Sequence, residues 1–360
     1  MKKILHIGMT PNPGGIESFV INLYRNIDRN KYEFHFVNWY DEKLAYEDEL
    51  IKMGGEIHKI SSRRNSILKN KQELKKIIEE QNFCYIHNHV QTLSYIEGIK
   101  LGLNKKIPTI IHAHSESIDK NAYITKFLNF INSRYGKKET INLAASYRAG
   151  KNMFGSQQFE VVPNAIDLKK FQYDENIRRR VRKNEHWEKK IVIGHVGRFS
   201  YPKNHEFILK VFSMLKDEKA NVFLALIGDG ELREEIMRET KNNKLENKVS
   251  FLGIRENINE LLMGMDYFIF PSIYEAFPIS VLEAQSTGLP CVISSNISKD
   301  VILTDLVTQL SIEDDEAIKN WVKAIKNKSI ESNRAKYYQK IKSSGFDISE
   351  LVEIMYKIYK

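Results

Sequence analysis

Short apolar segments rich in β-branched and aromatic residues recur along this chain, separated by longer stretches whose apolar positions follow the helical period. In the first half the strand-like segments are 3–8, 32–39, 57–60, 85–88, 109–113 and 141–144; in the second they are 190–196, 222–227, 249–252, 267–270 and 290–294. Buried strands alternating with helices build parallel sheets covered on both faces, so the pattern predicts an α/β chain of two Rossmann-like, doubly wound units. The sharpest break falls at 161–171, VVPNAIDLKKF, where a strand end, a Pro-Asn turn and a helix start follow one another. The very polar stretch after it, 174–190, reads as helix and surface loop. The expected domains are therefore 1–166 and 167–345, facing a central cleft. The apolar helical period at about 346–360 suits either domain, and a return to the first is expected.

Composition agrees with two globular domains. At 360 residues the chain exceeds the length at which a single core stops growing, and 42% hydrophobic with 28% charged residues describes a folded protein. No apolar run approaches the ~20 residues that span a bilayer, and Met1-Lys2-Lys3 is followed by a strand-like segment with no cleavage site, which predicts a cytoplasmic protein. Cys84 and Cys291 lie far apart in or beside strand-like runs and read as structural thiols. The net charge is +9, of which +6 falls in residues 1–167, including Arg63, Arg64, Lys105, Lys106, Lys137 and Lys138. A solvated face and attraction to an anionic membrane both explain this excess. For the membrane, the segment 123–135 offers Ile124, Phe127, Leu128, Phe130 and Ile131 at helical spacing, a stripe that equally suits a core. No nucleic-acid motif or aromatic platform accompanies the charge, so nucleic acid is not an expected partner.

The candidate chemistry sits at strand ends. The loop MTPNPGGIESF sets Gly14 and Gly15 before a helix predicted to start near Ile16. Two glycines there serve either a tight turn or a close approach of backbone to an anion at the helix N-terminus. The G-x-G-x-x-G fingerprint with an acid ~20 residues on is missing, which argues against a nicotinamide-binding half. After the segment ending at Val196, GRFSYPKNHEF puts Arg198 and Lys203 where open α/β sheets bind ligands. They read either as two surface cations or as a clamp for a diphosphate whose charge grows as a bond to it breaks. In IGDGELREEI, Gly228, Asp229 and Gly230 turn into a helix, with Asp229 expected as its cap. FLGIRENINELL brings Gly253 and Arg255 to another strand end, as an ordinary loop or as partners for a base.

The most informative segment is FPSIYEAFPISVLEAQSTGLPCV. A helix starting near Pro278 would put Glu283 in its second turn, leave Glu275 in the preceding loop, and offer N–H groups near Ile279 and Ser280 to phosphate. Carboxylates there suit the paired hydroxyls of a ribose and a sugar; solvent-facing glutamates are the plain alternative.

Taken in order, the Gly-Gly loop, PNAID, GRFSYPKNH, LIGDGELR, FLG and PSIYEAFPISVLEAQSTGLP resemble the family 4 retaining glycosyltransferases of the GT-B fold, and most of all bacterial members that build capsular or extracellular polysaccharide. The resemblance spans nearly the whole chain. It implies that Arg198 and Lys203 hold the donor diphosphate, Glu283 binds the ribose, Glu275 contacts the transferred sugar, and Gly15 approaches phosphate or acceptor. Gly14, Gly228, Gly253, Arg255, Phe277, Pro278, Ile279 and Ser280 complete the expected donor set. The family also carries a histidine near the catalytic centre, for which His114 in IIHAHSES, just before Ser115, matches. His112 is expected to point into the sheet, while His87 and His89 of YIHNHV, with Ser115, are acceptor-side candidates. Ala-Phe-Pro replaces the commoner Gly-Phe-Gly after Glu275, so Pro278 removes an N–H.

The resemblance implies transfer of a sugar, with UDP the expected nucleotide, to a glycan or lipid-linked acceptor hydroxyl, at the inner face of the plasma membrane if the basic half does meet lipid. No cofactor is expected. A metal is set aside because no Asp-x-Asp motif occurs at a strand end and the histidines lack a Cys or Asp cluster at ligand spacing. The competing readings are a nucleotide-sugar 2-epimerase on the same fold and a binding protein without turnover.

Overall fold

The structure, a computed structural model, describes residues 1–115, 123–137, 139–218, 221–275, 277–327 and 333–360. Lys138 of the basic run and Ala276 of the Ala-Phe-Pro loop lie outside them. The chain forms two compact units, Met1–Ala165 with Ile348–Lys360, and Ile166–Asp347. Each is built on one parallel sheet.

In the first unit β1 (Lys2–Ile7), β2 (Tyr32–Asn38), β3 (Glu56–Lys59), β4 (Tyr85–Val90), β5 (Thr109–Ala113), β6 (Thr140–Ala144) and β7 (Glu160–Val161) run in the order β3-β2-β1-β4-β5-β6-β7. Helices cover the faces, so the central strands are buried along their length. The helix Ile348–Ile358 closes one face. Its Leu351, Val352 and Met355 join Phe19, Val20 and Leu23 in one buried cluster, and the Tyr359 hydroxyl that follows it lies 2.7 Å from His87 Nδ1.

The second unit orders β8 (Ile191–Val196), β9 (Val222–Ile227), β10 (Val249–Gly253), β11 (Tyr267–Phe270), β12 (Cys291–Ser294) and β13 (Val307–Leu310) as β10-β9-β8-β11-β12-β13. Apolar clusters fill both of its faces. The polar stretch at 174–190 turns out to do more than meet solvent. Asp174 caps the helix Glu175–Asn184 by accepting from Asn176 N at 2.7 Å, and that helix sends Arg178 and Arg182 inward to the two oxygens of buried Asp266 at 2.5 and 3.0 Å. Asp266 also accepts from Val192 N, so the ion pairs anchor the first strand of this sheet.

Strand order reverses once in each sheet, between β1 and β4 and between β8 and β11. Such switch points are where connections diverge and leave room for a ligand beyond the carboxyl ends of the strands. Glycine makes one of these ends possible. Gly228, just after β9, has φ +135°, and a Cβ there would lie 2.1 Å from the carbonyl oxygen of Gly197, just after β8. Gly228→Ala is expected to cost about 3 kcal/mol from backbone strain and overpacking together, read as a shift in the midpoint of chemical unfolding; an unchanged midpoint would contradict this packing.

Candidate active site

Lys203 and Glu275 meet across the switch point of the second sheet. Lys203 lies on the loop after β8, Glu275 on the loop after β11, and the Lys203 ammonium pairs with Glu275 Oε2. Both side chains are mostly buried, and the ammonium also stands 4.7 Å over the Phe270 ring. Backbone and side-chain bonds tie the same two loops: Ile273 N donates to Pro202 O at 2.8 Å, and Asn204 Nδ2 donates to Pro271 O at 3.2 Å. Asn204 takes a left-handed φ of 57°, which a short amide tolerates. Arg198, nearer the strand end, pairs with Glu231 at 3.0 Å.

The helix Ile279–Ser286 starts beside this pair, with Pro278 as its N-cap and no side-chain cap. Val281 N and Leu282 N turn back to the Pro278 carbonyl, while the N–H groups of Ile279 and Ser280 lie in the first turn, where no intrahelical acceptor exists. Pro278 therefore removes an N–H outside the first helical turn and leaves these two donors in place. Phe277 is braced by Phe346, ring to ring at 5.0 Å. Glu283 is half-buried in the second turn and has no side-chain hydrogen bond among the described residues; burial pushes its carboxyl up to about 8. At neutral pH that carboxyl largely keeps its proton and both donates and accepts, which suits vicinal hydroxyls.

The remaining donor-side residues divide. Gly228 N donates to Gly253 O at 2.9 Å, so these two glycines join the ends of β9 and β10, and Gly253 has φ +66° with open space where a Cβ would stand. Arg255 is engaged by Glu185 and Asn257 at 2.8 and 3.1 Å. Asp229 does not cap the following helix, whose N-cap is Leu232; its Oδ1 accepts from the adjacent Gly230 N, because three turn residues separate it from the helix start at Arg233.

In the first unit the helix Gly15–Asn26 follows β1 with Gly14 as an uncapped N-cap. A Cβ on Gly15 would stand 3.3 Å from Asn164 Nδ2, so the PNAID segment lies against this loop. Asn164 is buried and its Oδ1 has no partner among the described residues. Buried Glu17 folds back to accept from Thr10 N and Oγ1 at 2.8 and 3.0 Å, and desolvation raises its pKa. Neither residue was singled out by spacing; their signal was adjacency to the glycines and to Pro163.

His114, expected near the chemistry, follows β5 and is half-buried next to Ser115. It joins a histidine cluster that sequence reasoning did not assemble. His6 Nδ1 lies 3.0 Å from His89 Nε2, His89 Nδ1 lies 3.1 Å from His114 Nε2, and His87 Nε2 lies 3.2 Å from His112 Nδ1. His112 does not take the opposite face from His114; their rings are 4.1 Å apart, since residues two apart on a strand share a face. His87 and His89 are buried, and both ring nitrogens of His89 meet other histidines, His6 and His114. The absence of a Cys or Asp cluster was too narrow a ground for setting a metal aside, because three-histidine sets here bring nitrogens within 4.8 Å. Beneath Lys203, the Nδ1–H of buried His195 donates to Ile269 O at 2.9 Å, and its Nε2 has no partner among the described residues.

Comparison with known proteins places the chain. Residues 176–345 match the model of "Glycosyl transferases group 1" and residues 13–170 that of "Glycosyltransferase Family 4". EpsF of Bacillus subtilis (strain 168), named a glycosyltransferase, is 30% identical over 99% of this chain and 96% of its own. The capsular polysaccharide biosynthesis glycosyltransferase CapH of Staphylococcus aureus is 25% identical over 100% of this chain and 99% of its own. Among solved structures, Anabaena HepE in complex with UDP superposes with a TM-score of 0.80 at 18% identity over 99% of each chain, a likeness of fold.

The buried histidines carry a prediction about acid. Burial pushes His6 and His114 down to about 3, His205 to about 4, and His87, His89, His112 and His195 well below their usual value. Unfolded histidines take protons near 6.5 whereas these stay neutral, so their share of stability is present above that pH and lost as pH falls. The melting temperature is expected to drop steeply between about pH 7 and pH 5, at roughly 1.4 kcal/mol per pH unit for each histidine once below its unfolded pKa; a flat profile would contradict the burial.

Proposed function

We propose, for a chain that belongs to the family 4 glycosyltransferases of the GT-B fold and is related to enzymes of bacterial capsular and extracellular polysaccharide synthesis, that it moves a hexose from UDP to an acceptor hydroxyl with retention of configuration. The Lys203–Glu275 pair at the β8/β11 switch point carries this reading. Lys203 and Arg198 hold the diphosphate, and the Ile279 and Ser280 N–H groups add the positive end of a helix. Glu283 pairs with the ribose hydroxyls. Glu275, already held by Lys203, orients the transferred sugar.

As the bond between C1 and the diphosphate oxygen breaks, the two cations stabilise the growing negative charge. The departing oxygen takes the proton of the acceptor hydroxyl, and the new bond forms at C1 on the face the diphosphate leaves. Configuration is kept without a covalent enzyme intermediate. The charge that a divalent metal would neutralise is met by Arg198, Lys203 and the helix end. On the acceptor side, His114 and Ser115 at the end of β5 are assigned to the hydroxyl. Burial keeps the His114 imidazole neutral, so it orients through hydrogen bonds.

Turnover and thermal shift with UDP-, GDP- and ADP-sugars in the presence of EDTA test the reading. One UDP-sugar is expected to stabilise the wild type and to lose that effect in Glu283→Ala. Lys203→Ala or Arg198→Ala is expected to lower kcat about 100-fold to 1000-fold. Binding of no nucleotide sugar, or activity wholly dependent on added divalent metal, would sink the proposal.

A lipid-linked acceptor fits the helix Tyr123–Asn132. Tyr123, Ile124, Phe127 and Phe130 are between 62% and 79% exposed, with Lys126 and Arg134 close by in sequence. An apolar stripe bordered by cations is the composition of a helix that lies in an anionic membrane interface. No helix among the described residues is long and apolar enough to cross a membrane. Phe127→Glu with Phe130→Glu is expected to abolish co-sedimentation with anionic vesicles while sparing turnover on a short soluble acceptor; undiminished vesicle binding would remove the helix from the membrane.

A further inference from the structure

On the other face of the first sheet from the histidine cluster, β2 and the edge strand β3 bring together His35, Glu56 and His58. The register pairs His35 with Glu56, and His58 stands two pairs further along, opposite Val37, on the same face. His35 Nδ1 lies 2.8 Å from His58 Nε2 and 3.4 Å from Glu56 Oε2, while His58 Nε2 lies 3.7 Å from Glu56 Oε1. A tetrahedral zinc ion with metal–nitrogen bonds of about 2.0–2.1 Å sets its ligand atoms about 3.3 Å apart. The three groups stand within about 0.5 Å of that spacing, the two imidazoles now joined by a hydrogen bond that the ion would replace.

We propose that His35 Nδ1, His58 Nε2 and the Glu56 carboxylate bind one divalent cation of the zinc class, which fastens the edge strand β3 to β2. The surroundings are those of a metal ligand set. His35 is fully buried, which fixes its ring, and Glu33 Oε1 lies 3.1 Å from its other nitrogen, Nε2, off the line of a good hydrogen bond. A carboxylate behind a ligating histidine is the usual outer partner, orienting the ring and raising its basicity. Glu56 and His58 retain 48% and 10% side-chain exposure, which leaves an entry path and room for water as fourth ligand. Glu33 and Glu56 together offset the charge of the ion. Lys3, whose charge acts on both histidines, donates instead to Gln81 Oε1 at 3.0 Å. Binding requires both facing nitrogens to be unprotonated, so the proton shared in the His35–His58 hydrogen bond moves to the other nitrogen of its own ring, leaving His35 protonated on Nε2 toward Glu33 and His58 on Nδ1.

The five-histidine cluster is the rival location, and it fits less well. Its three-way sets contain no carboxylate, and most of its nitrogens face one another in a buried interior. A doubly charged ion there would lack compensating charge.

The test is isothermal titration of ZnCl2 into tag-free, EDTA-treated and dialysed protein, with thermal unfolding in parallel. Saturable uptake of one ion per chain with a rise in melting temperature is expected. His58→Gln and Glu56→Gln, both at partly exposed positions, are expected to fold and to lose that uptake, and Glu33→Gln is expected to weaken it roughly 10-fold to 100-fold. Co2+ in the same site should give the visible bands of tetrahedral coordination, absent in His58→Gln. The proposal is overturned if the wild type takes up no ion saturably. It is equally overturned if uptake survives both variants, including the case in which it disappears instead in His114→Gln.

Discussion

An ammonium held between two loops organises the second unit. Lys203 comes from the connection after β8 and Glu275 from that after β11, the two strands at which the sheet reverses its order. A partly buried ion pair adds little net stability, because desolvation offsets much of the attraction. Its value is positional. With Pro202, Asn204, Pro271 and Ile273 bonded around it, the pair sets a cation at the carboxyl edge before any anion arrives. Preorganised charge of this kind costs no rearrangement when a leaving group becomes negative. The Gly197–Gly228 approach, the Gly228–Gly253 bond and the uncapped start of the helix Ile279–Ser286 all shape the ground around that one cation.

The first unit answers with a different chemistry at its own switch point. His6 pairs in register with His87, and His89 with His112, so parallel pairing stacks four imidazoles across β1, β4 and β5, and His114 extends the row past the strand end. Held neutral by burial, they supply hydrogen bonds without charge and lead from the core to the strand ends. One face of this sheet thus carries a buried imidazole row, while the other gathers imidazoles with carboxylates near the surface. The same residue type serves two physical ends because alternation along a strand sends neighbours to opposite faces.

Much of the fold was legible because buried strands advertise themselves as apolar runs. Eleven segments found in this way correspond to strands, and the Pro278 start of the helix after Glu275 followed from proline's place at helix N-termini. The missed strand β13, VTQL, is half-buried throughout and mixes polar with apolar positions, so no run announces it. Its pairing with β12 comes from tertiary context. Local reading failed where partners are remote. Asp229 looked like a cap because it precedes a helical pattern, yet the turn runs further. The inward arginines of 174–190 depend on Asp266, some eighty positions away, and the histidine and His–Glu clusters depend on register between strands. Asn164 was within a segment singled out for its turn, but its contact with the Gly14-Gly15 loop required the fold.

The proposed function requires Lys203 to recognise the second phosphate of a nucleotide. Calorimetric titration of UDP and of UMP into wild type and Lys203→Met tests it most directly, because the two ligands differ by one phosphate. The wild type is expected to prefer UDP, and the variant to lose most of this preference while its affinity for UMP changes little. A preference left intact in Lys203→Met, or none in the wild type, would contradict the placement of the diphosphate at the β8/β11 switch point.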